Sequence, residues 1–293
     1  MSSPAEAPSP TPAALRQAFL AACRAELEAL KPGNVHVHAD GHGMTVQDFL
    51  LSAEAAAAPL TVRGSAVGAR IRAAIEASWA AVPLNTNLGI VLLAAPLLAA
   101  AETGTGALRS RLARGMRSLT VADAVDAFAA IRRANPGGLG RAEAQDVGTD
   151  PTVTLLEAMR LAAGRDLIAR QYATDYADVF DVGVVQIVAG RRAGIAPRWI
   201  TSLVFLHFLA AFPDSHIARK FGAATAEDVR AQAERLLGAL PAAERERTAV
   251  LLAFDRELKE RGLNPGTSAD LTVASLLASG LGDMLAHPAR EIR

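Results

Sequence analysis

Apolar residues recur along most of this chain at the 3.6-residue spacing of amphipathic helices. Leu15, Phe19, Cys23, Leu27 and Leu30 share one face of a first helix, capped by Thr11 and opened by Pro12. That helix stops at Lys31-Pro32-Gly33-Asn34. Thr45 with Asp48 three residues on opens a second, and a third is predicted from Ser65 to Ala80. Asn85-Thr86-Asn87-Leu88-Gly89 leads into a helix over Leu88–Ala101 that is apolar nearly all round and reads as a core element. After a Gly/Thr turn at 103–106, a basic helix reaches Arg117. Thr120 with Asp123 caps the next, with Val121, Val125, Phe128 and Ile131 as its predicted apolar face. Asn135-Pro136-Gly137-Gly138 breaks that helix, and a loop follows through Gln145 to Pro151. Two helices are predicted over 152–194 with a break near Gly164. Pro197 opens another, apolar almost all round over Ile200–Phe212 and therefore central. Thr225 with Asp228 caps the next, and Pro241 starts a long charged helix that Gly262 ends. The chain turns through Asn264-Pro265-Gly266 into a last helix, with Thr267 or Ser268 as its N-cap and Asp270 in its first turn.

No segment alternates at period two between turn signals, so no strand is predicted. The pattern gives one all-α domain over 13–293, preceded by a Ser/Ala/Pro-rich tail at 1–12 that reads as disordered. Composition agrees: 51% of residues are hydrophobic but only 4% aromatic, and alanine and leucine suit close-packed helices. Leu88–Ala101 is short of the roughly 20 residues a bilayer span needs. Formal net charge is zero, so no global field favours nucleic acid or an anionic membrane. The single cysteine, Cys23, excludes an internal disulfide and suits a reducing, cytoplasmic location.

Polar chemistry is confined to five loop segments, and each has a plain and a functional reading. Lys31-Pro32-Gly33-Asn34 is either a helix C-cap or a lysine and exposed backbone offered to phosphate. His36, His38 and His42 with Asp40 have imidazoles enough for a transition metal. They lack a cysteine partner or a His-x-x-x-His pair, and a phosphate contact, proton transfer or simple solvation fits the loop better. Asn85 and Asn87 either cap a helix or bind ribose or phosphate. Asp146 and Asp150 flank Gly148 as an Asx-turn or as ligands for a hard cation. Asp214, His216, Arg219 and Lys220 are either a solvated helix end or a cationic rim for a polyanion. A glycine turn feeding a helix start, as at Gly266-Thr267-Ser268, suits an anion, and Asp270 beyond it suits a divalent cation. Neither a Walker loop nor a dinucleotide fingerprint is present, so a nucleotide would need an all-helical site.

In order and together, Lys31-Pro-Gly-Asn-Val35, Asn85-Thr-Asn-Leu-Gly89, Asp214-Ser-His-Ile-Ala-Arg-Lys220 and Asn264-Pro-Gly-Thr-Ser-Ala-Asp-Leu271 resemble the ATP:dephospho-CoA triphosphoribosyl transferase family. The resemblance covers about residues 15–285. Gly43 stands where the family pattern has an acid, with Asp40 nearby in the same loop. The Asn34 form is closer to divergent archaeal and methylotroph members. The resemblance implies an all-helical fold in which ATP gives its triphosphoribosyl group to the 2′-hydroxyl of dephospho-CoA, with loss of adenine. It also implies magnesium on the triphosphate, with Asp270 and either Asp146 or Asp150 as its carboxylates. Lys31, Gly33, Asn34, His216, Arg219, Lys220, Asn264, Gly266, Thr267 and Ser268 would hold phosphate, and Asn85 and Asn87 ribose or base. Asp40, Asp150 and His42 are the candidate acid–base groups. Two alternatives stand beside it: the same chemistry on a one-carbon or pterin-type acceptor, and a helical binding protein without catalysis.

Overall fold

The computed structural model describes residues 9–137 and 146–287. Most of the 1–12 tail, Gly138 and Gln145 lie outside the described residues. The chain forms α1 (Pro12–Glu28), α2 (Val46–Leu60), α3 (Val67–Ala81), α4 (Leu88–Glu102), α5 (Leu108–Arg117) and α6 (Val121–Ala134). Beyond the 138–145 gap come α7 (Leu155–Ala162), α8 (Leu167–Ala173), a π-helical turn at Val179–Val184, α9 (Val185–Arg192) and α10 (Pro197–Ala211). The last four are α11 (Ser215–Phe221), α12 (Ala223–Gly238), α13 (Glu244–Glu260) and α14 (Gly266–Ala286). Among the described residues there is no strand, only two isolated bridges, His36 to Ala39 and Gly41 to Met44. The all-α expectation therefore holds.

Capping chemistry sets many of the boundaries. Thr45–Asp48, Thr120–Asp123 and Thr154–Glu157 each make reciprocal capping boxes. Four boundary or face expectations shift. The 152–194 region is four short pieces rather than two helices, because Asp166 caps a new helix and the π turn interrupts the next. Helix α12 starts at Ala223, behind Gly222 at φ 90°, so Thr225 lies inside it and donates to the Phe221 carbonyl instead of capping. On α6 the buried stripe is Ala124, Ala127, Phe128 and Ile131, while Val121 and Val125 are exposed. Small alanines there let α3 approach so closely that a Cβ on Gly68 would stand 2.4 Å from the Asp123 Cα. Helix α14 begins at Gly266, which moves Asp270 out of the first turn into the second.

Helices α4 and α14 form the centre. α14 packs on α1, α4, α10 and the π turn, and it is the one helix among the described residues long and apolar enough to cross a membrane. Its Leu271, Val273, Leu277 and Leu281 are buried in the protein core. Helix α10 is hydrophobic all round because it separates two clusters. Ile200, Val204 and Phe208 join the main core, whereas Phe205, Leu206 and Leu209 pack with Val229, Leu251 and Leu258 of α12 and α13.

Pro96 inside α4 removes the N–H that would bond the Leu92 carbonyl. The Tyr172 hydroxyl donates to that carbonyl at 2.6 Å, and the Tyr176 hydroxyl to the Leu93 carbonyl at 3.1 Å. Thus α8 and the segment after it repair α4 from outside. The start of α4 is fixed differently. Thr86 donates to Ser52 Oγ at 2.6 Å, and Asn87 Nδ2 donates to Ser78 Oγ at 3.0 Å and the Ser52 carbonyl at 3.3 Å.

Candidate active site

A cavity of about 370 Å³ opens between the N-termini of α4, α11 and α14. That size lies within the range of small-molecule pockets, roughly 300–1,000 Å³. One wall is apolar and comes from Leu92, Phe128, Ile131, Met159 and Ile168 on α4, α6, α7 and α8. The other is polar and comes from Asn34, Asn85, His216, Arg219, Asn264 and Asp270. Residues from the 31–34, 85–89, 214–220 and 264–271 segments thus meet on one cavity.

Asp214 builds the polar wall without facing the cavity. Its Oδ1 accepts the His216 and Ile217 N–H groups at 2.9 and 3.2 Å, capping α11. Its Oδ2 accepts both the N–H and the hydroxyl of Ser268 at 2.8 Å. One fully buried carboxylate therefore caps two helices and locks them together. Burial pushes its pKa up while these hydrogen bonds pull it down. The N-cap expected of Thr267 or Ser268 comes instead from a residue some fifty positions earlier in the chain. Ser268 is spent on that contact. Gly266 N–H bonds the Asn264 carbonyl, and Thr267 Oγ1 accepts from His216 N–H. The anion-binding helix start expected at 266–268 has most of its donors already used.

Lys31 is likewise an internal cation. It is fully buried, and its ammonium donates to Glu26, to Asn34 Oδ1 at 2.9 Å and to the Val35 carbonyl at 2.8 Å. All three protons are committed, so none is offered to phosphate. Burial pulls its pKa down and Glu26 opposes the shift. Its work is to orient Asn34, whose Nδ2 donates to Asn264 Oδ1 at 2.8 Å. Gly33 has φ 81°, and a Cβ there would stand 2.9 Å from Leu258 and from the Leu263 carbonyl. Its N–H donates to Asp255 Oδ1 at 2.8 Å, so Gly33 is an anchor for the loop.

The histidine loop is two successive tight turns, closed by the His36–Ala39 and Gly41–Met44 bridges. His36 is buried with Nε2 3.3 Å from Asp255 Oδ1, while His38 and Asp40 are exposed. Among the described residues no three His, Cys, Asp or Glu side chains are arranged around a metal position. His42 contacts the Gly33 carbonyl through Nε2 at 2.7 Å. Neither His42 nor Asp40 lines the cavity, and Asp150 is an exposed partner of Arg132 at 3.7 Å. The three candidate acid–base groups therefore stand away from the pocket. Asn87 faces α2 and α3, and Lys220 is exposed on α11 beside Gly137.

Asp270, Asp146 and Asn85 do reach the cavity. Asp146 accepts the Gly148 N–H at 2.7 Å in an Asx-turn. The Asp270 carboxylate lies against Gly89, where an added Cβ would stand 2.0 Å from Oδ2; only glycine in the 85–89 segment leaves that space. Burial pushes the Asp270 pKa well up, and the nearby Asp214, Glu26 and Asp166 push it further against the pull of Arg219. Arg219 donates to Asp166 Oδ2 at 2.6 Å, while its buried Nε has no partner. His216 Nε2 is also buried without a partner. Burial, then the charges of Lys220, Arg219 and His42, drag its pKa down to about 4. The ring is neutral at physiological pH, contrary to the positive charge expected of it.

Sequence reasoning missed Glu26, Arg165 and Asp166, which also line the cavity. Glu26 had a visible signal, an acid between Cys23 and Leu30 on a buried helical face. Asp166 had another, since Gly164-Arg165-Asp166 ahead of an apolar run is an N-cap pattern.

The family described as CitG, ATP:dephospho-CoA triphosphoribosyl transferase, matches residues 12–288. The chain belongs to the ATP:dephospho-CoA triphosphoribosyl transferase family. A protein of Albidiferax ferrireducens, provisionally named 2-(5''-triphosphoribosyl)-3'-dephosphocoenzyme-A synthase, is 34% identical over 103 residues. That stretch is 35% of this chain and 34% of the relative, so the match spans about a third of the relative's length. The crystal structure of an Archaeoglobus fulgidus protein, provisionally named a triphosphoribosyl-dephospho-CoA synthase, superposes with a TM-score of 0.62 at 23% identity. It covers 78% of this chain and 97% of that one, and it shows that the transferase-family fold is shared.

Proposed function

We propose that this protein moves the triphosphoribosyl group of ATP to the 2′-hydroxyl of dephospho-CoA and releases adenine. The observation that carries the reading is the convergence of the four family segments on one cavity with a polar and an apolar wall. In this reading adenine lies against Leu92, Phe128, Ile131 and Met159. The triphosphate lies toward Arg219 and Arg165, whose guanidinium donors suit phosphate. Asn264 Nδ2, which makes no hydrogen bond among the described residues, offers a further donor to the ligand.

Magnesium is part of the same proposal, and the donor set fits it. Asp270 is a carboxylate crowded by three others, so a hard cation relieves a repulsion that protonation relieves in its absence. Asp270, with Asp146 across the cavity, would hold it alongside substrate phosphates and water. The ion would supply charge neutralisation on the triphosphate.

Breaking the N-glycosidic bond builds positive charge at C1′. Asp166, a carboxylate on the cavity wall, would favour this charge. Asn34 and Asn264, locked to each other and to Lys31, are pre-oriented and cost little to align when substrate binds.

The experiment is direct. Purified protein with magnesium, ATP and dephospho-CoA should release adenine and form an adduct heavier by one triphosphoribosyl group, read by chromatography and mass spectrometry. Absence of both, with dephospho-CoA and with CoA-like acceptors, refutes the reading.

A further inference from the structure

Every carboxylate on the cavity wall already has a task. Glu26 accepts from Lys31, and Asp166 caps α8 while pairing with Arg219. Asp146 closes its Asx-turn, and Asp270 is the group crowded by the others. Asp214, outside the wall, spends both oxygens on backbone and on Ser268. Among the described residues lining the cavity, His216 carries the one buried ring nitrogen without a hydrogen-bond partner. Its Nε2 is buried without a hydrogen-bond partner, a state that costs free energy unless a ligand fills it. The backbone that carries the ring is fixed, since the His216 main-chain N–H donates to Asp214 Oδ1 at 2.9 Å and to Thr267 Oγ1 at 3.2 Å. The ring lies close against the start of α14, where a Cβ on Gly266 would stand 3.2 Å from Nδ1.

We propose that His216 Nε2 is the base that takes the proton from the attacking hydroxyl of the acceptor. This rests on the transferase reading above. As the hydroxyl oxygen bonds to C1′ and the C1′–N9 bond breaks, the O–H proton passes to Nε2, with Nδ1 carrying the other ring proton. The bonding pair of C1′–N9 leaves with adenine. Adenine then needs one proton, and the imidazolium returns one through solvent. The reaction balances without a further reactant.

The charges around the ring make it a base that substrate switches on. Lys220 and Arg219 on its own helix and His42 from the loop before α2 suppress protonation, as does burial. Asp214 at the helix start, Asp270 on α14 and Asp166 on α8 face the same region, and the first two are themselves pushed toward neutrality. In the free protein at pH 7 about one ring in a thousand is protonated, given a pKa of about 4. A bound triphosphate sets anionic oxygens against Arg219 and the ring, which raises the pKa toward neutrality, where a general base works best.

Two measurements test this. The first is an NMR titration of the His216 ring in the wild-type protein, with the signal assigned by its loss in His216→Gln. The pKa should rise by at least one unit when ATP and magnesium are added. An unmoved pKa overturns the proposal whether or not turnover occurs. The second is the pH profile of adenine release. Wild type should show an acidic limb in kcat at higher pH than in kcat/KM. His216→Gln, which keeps a hydrogen-bonding group of similar size, should lose about 10²–10⁴-fold in kcat together with that limb. If wild type releases adenine and His216→Gln does so within threefold with the same limb, the base assignment is wrong and the transferase reading stands.

Discussion

Gly89→Ala isolates the contact on which the cavity's central acid depends. Gly89 is the second residue of α4, and a methyl group there would lie 2.0 Å from Asp270 Oδ2 and 2.5 Å from its Cγ. Ordinary contact begins near 3.4 Å, so the carboxylate has to move by the difference between 3.4 and 2.0 Å, about 1.4 Å. Two opposing effects set the stability change. Alanine favours a helix over glycine by about 0.5–1 kcal/mol, whereas overpacking costs about 1–3 kcal/mol. The overlap wins, and the variant should lose up to about 2 kcal/mol in urea unfolding followed by circular dichroism. Adenine release should fall about 10²-fold, the usual consequence of a 1 Å misplacement. A double-mutant cycle separates the causes. In an Asp270→Ala background the overlap is gone, and Gly89→Ala should become stabilising by about 0.5–1 kcal/mol. If Gly89→Ala stabilises the wild-type protein and leaves adenine release unchanged, Asp270 does not stand where the reaction needs it.

Three further outcomes follow from the geometry. Asp214→Ala leaves the Ile217 and Ser268 N–H groups buried without acceptors, at about 1–3 kcal/mol each. Relief from burying a carboxylate offsets part of that, so a net loss of about 2–4 kcal/mol is expected, and an unchanged urea midpoint contradicts the double-cap assignment. Tyr172→Phe should cost about 1–2 kcal/mol by orphaning the Leu92 carbonyl. In a Pro96→Ala background, where the helix supplies its own N–H, that cost should shrink, and an equal cost in both backgrounds refutes the repair. The third concerns pH. The folded-state pKa of Asp270 is raised, so its protonated form favours folding at low pH and that stability is lost as pH rises through the folded value. In magnesium-free buffer Asp270→Asn should therefore be more stable than wild type at pH 7, with the gap closing toward pH 4. A gap that is absent or reversed at pH 7 refutes the crowding.

Much of the fold is legible in the chain because helix formation is local. Apolar spacing, the capping boxes at Thr45–Asp48 and Thr120–Asp123 and the Pro and Gly stops mark most helices, and the two helices apolar on every side announce their central places. The failures have one physical cause. Where a short helix depends on a partner, as around the π turn, or where alanine rather than valine faces the core, as on α6, the sequence weighs residues without knowing their neighbours.

The site divides along the same line. By themselves the residues determined an all-helical protein with family motifs whose cavity-facing members include Asn34, Asn85, His216, Arg219, Asn264 and Asp270. Tertiary structure decided what each is free to do. Lys31 and Ser268 carry the chemistry of phosphate ligands, yet Glu26 and Asp214 consume them, because a buried donor must find an acceptor wherever the fold provides one. Asp40 and Asp150 carry the chemistry of bases but stand in solvent. His216 resembles a cation on paper, and burial with Lys220 and Arg219 nearby leaves it neutral, with Nε2 unpartnered. Chemical capacity is a property of the side chain, and availability is a property of the packing around it.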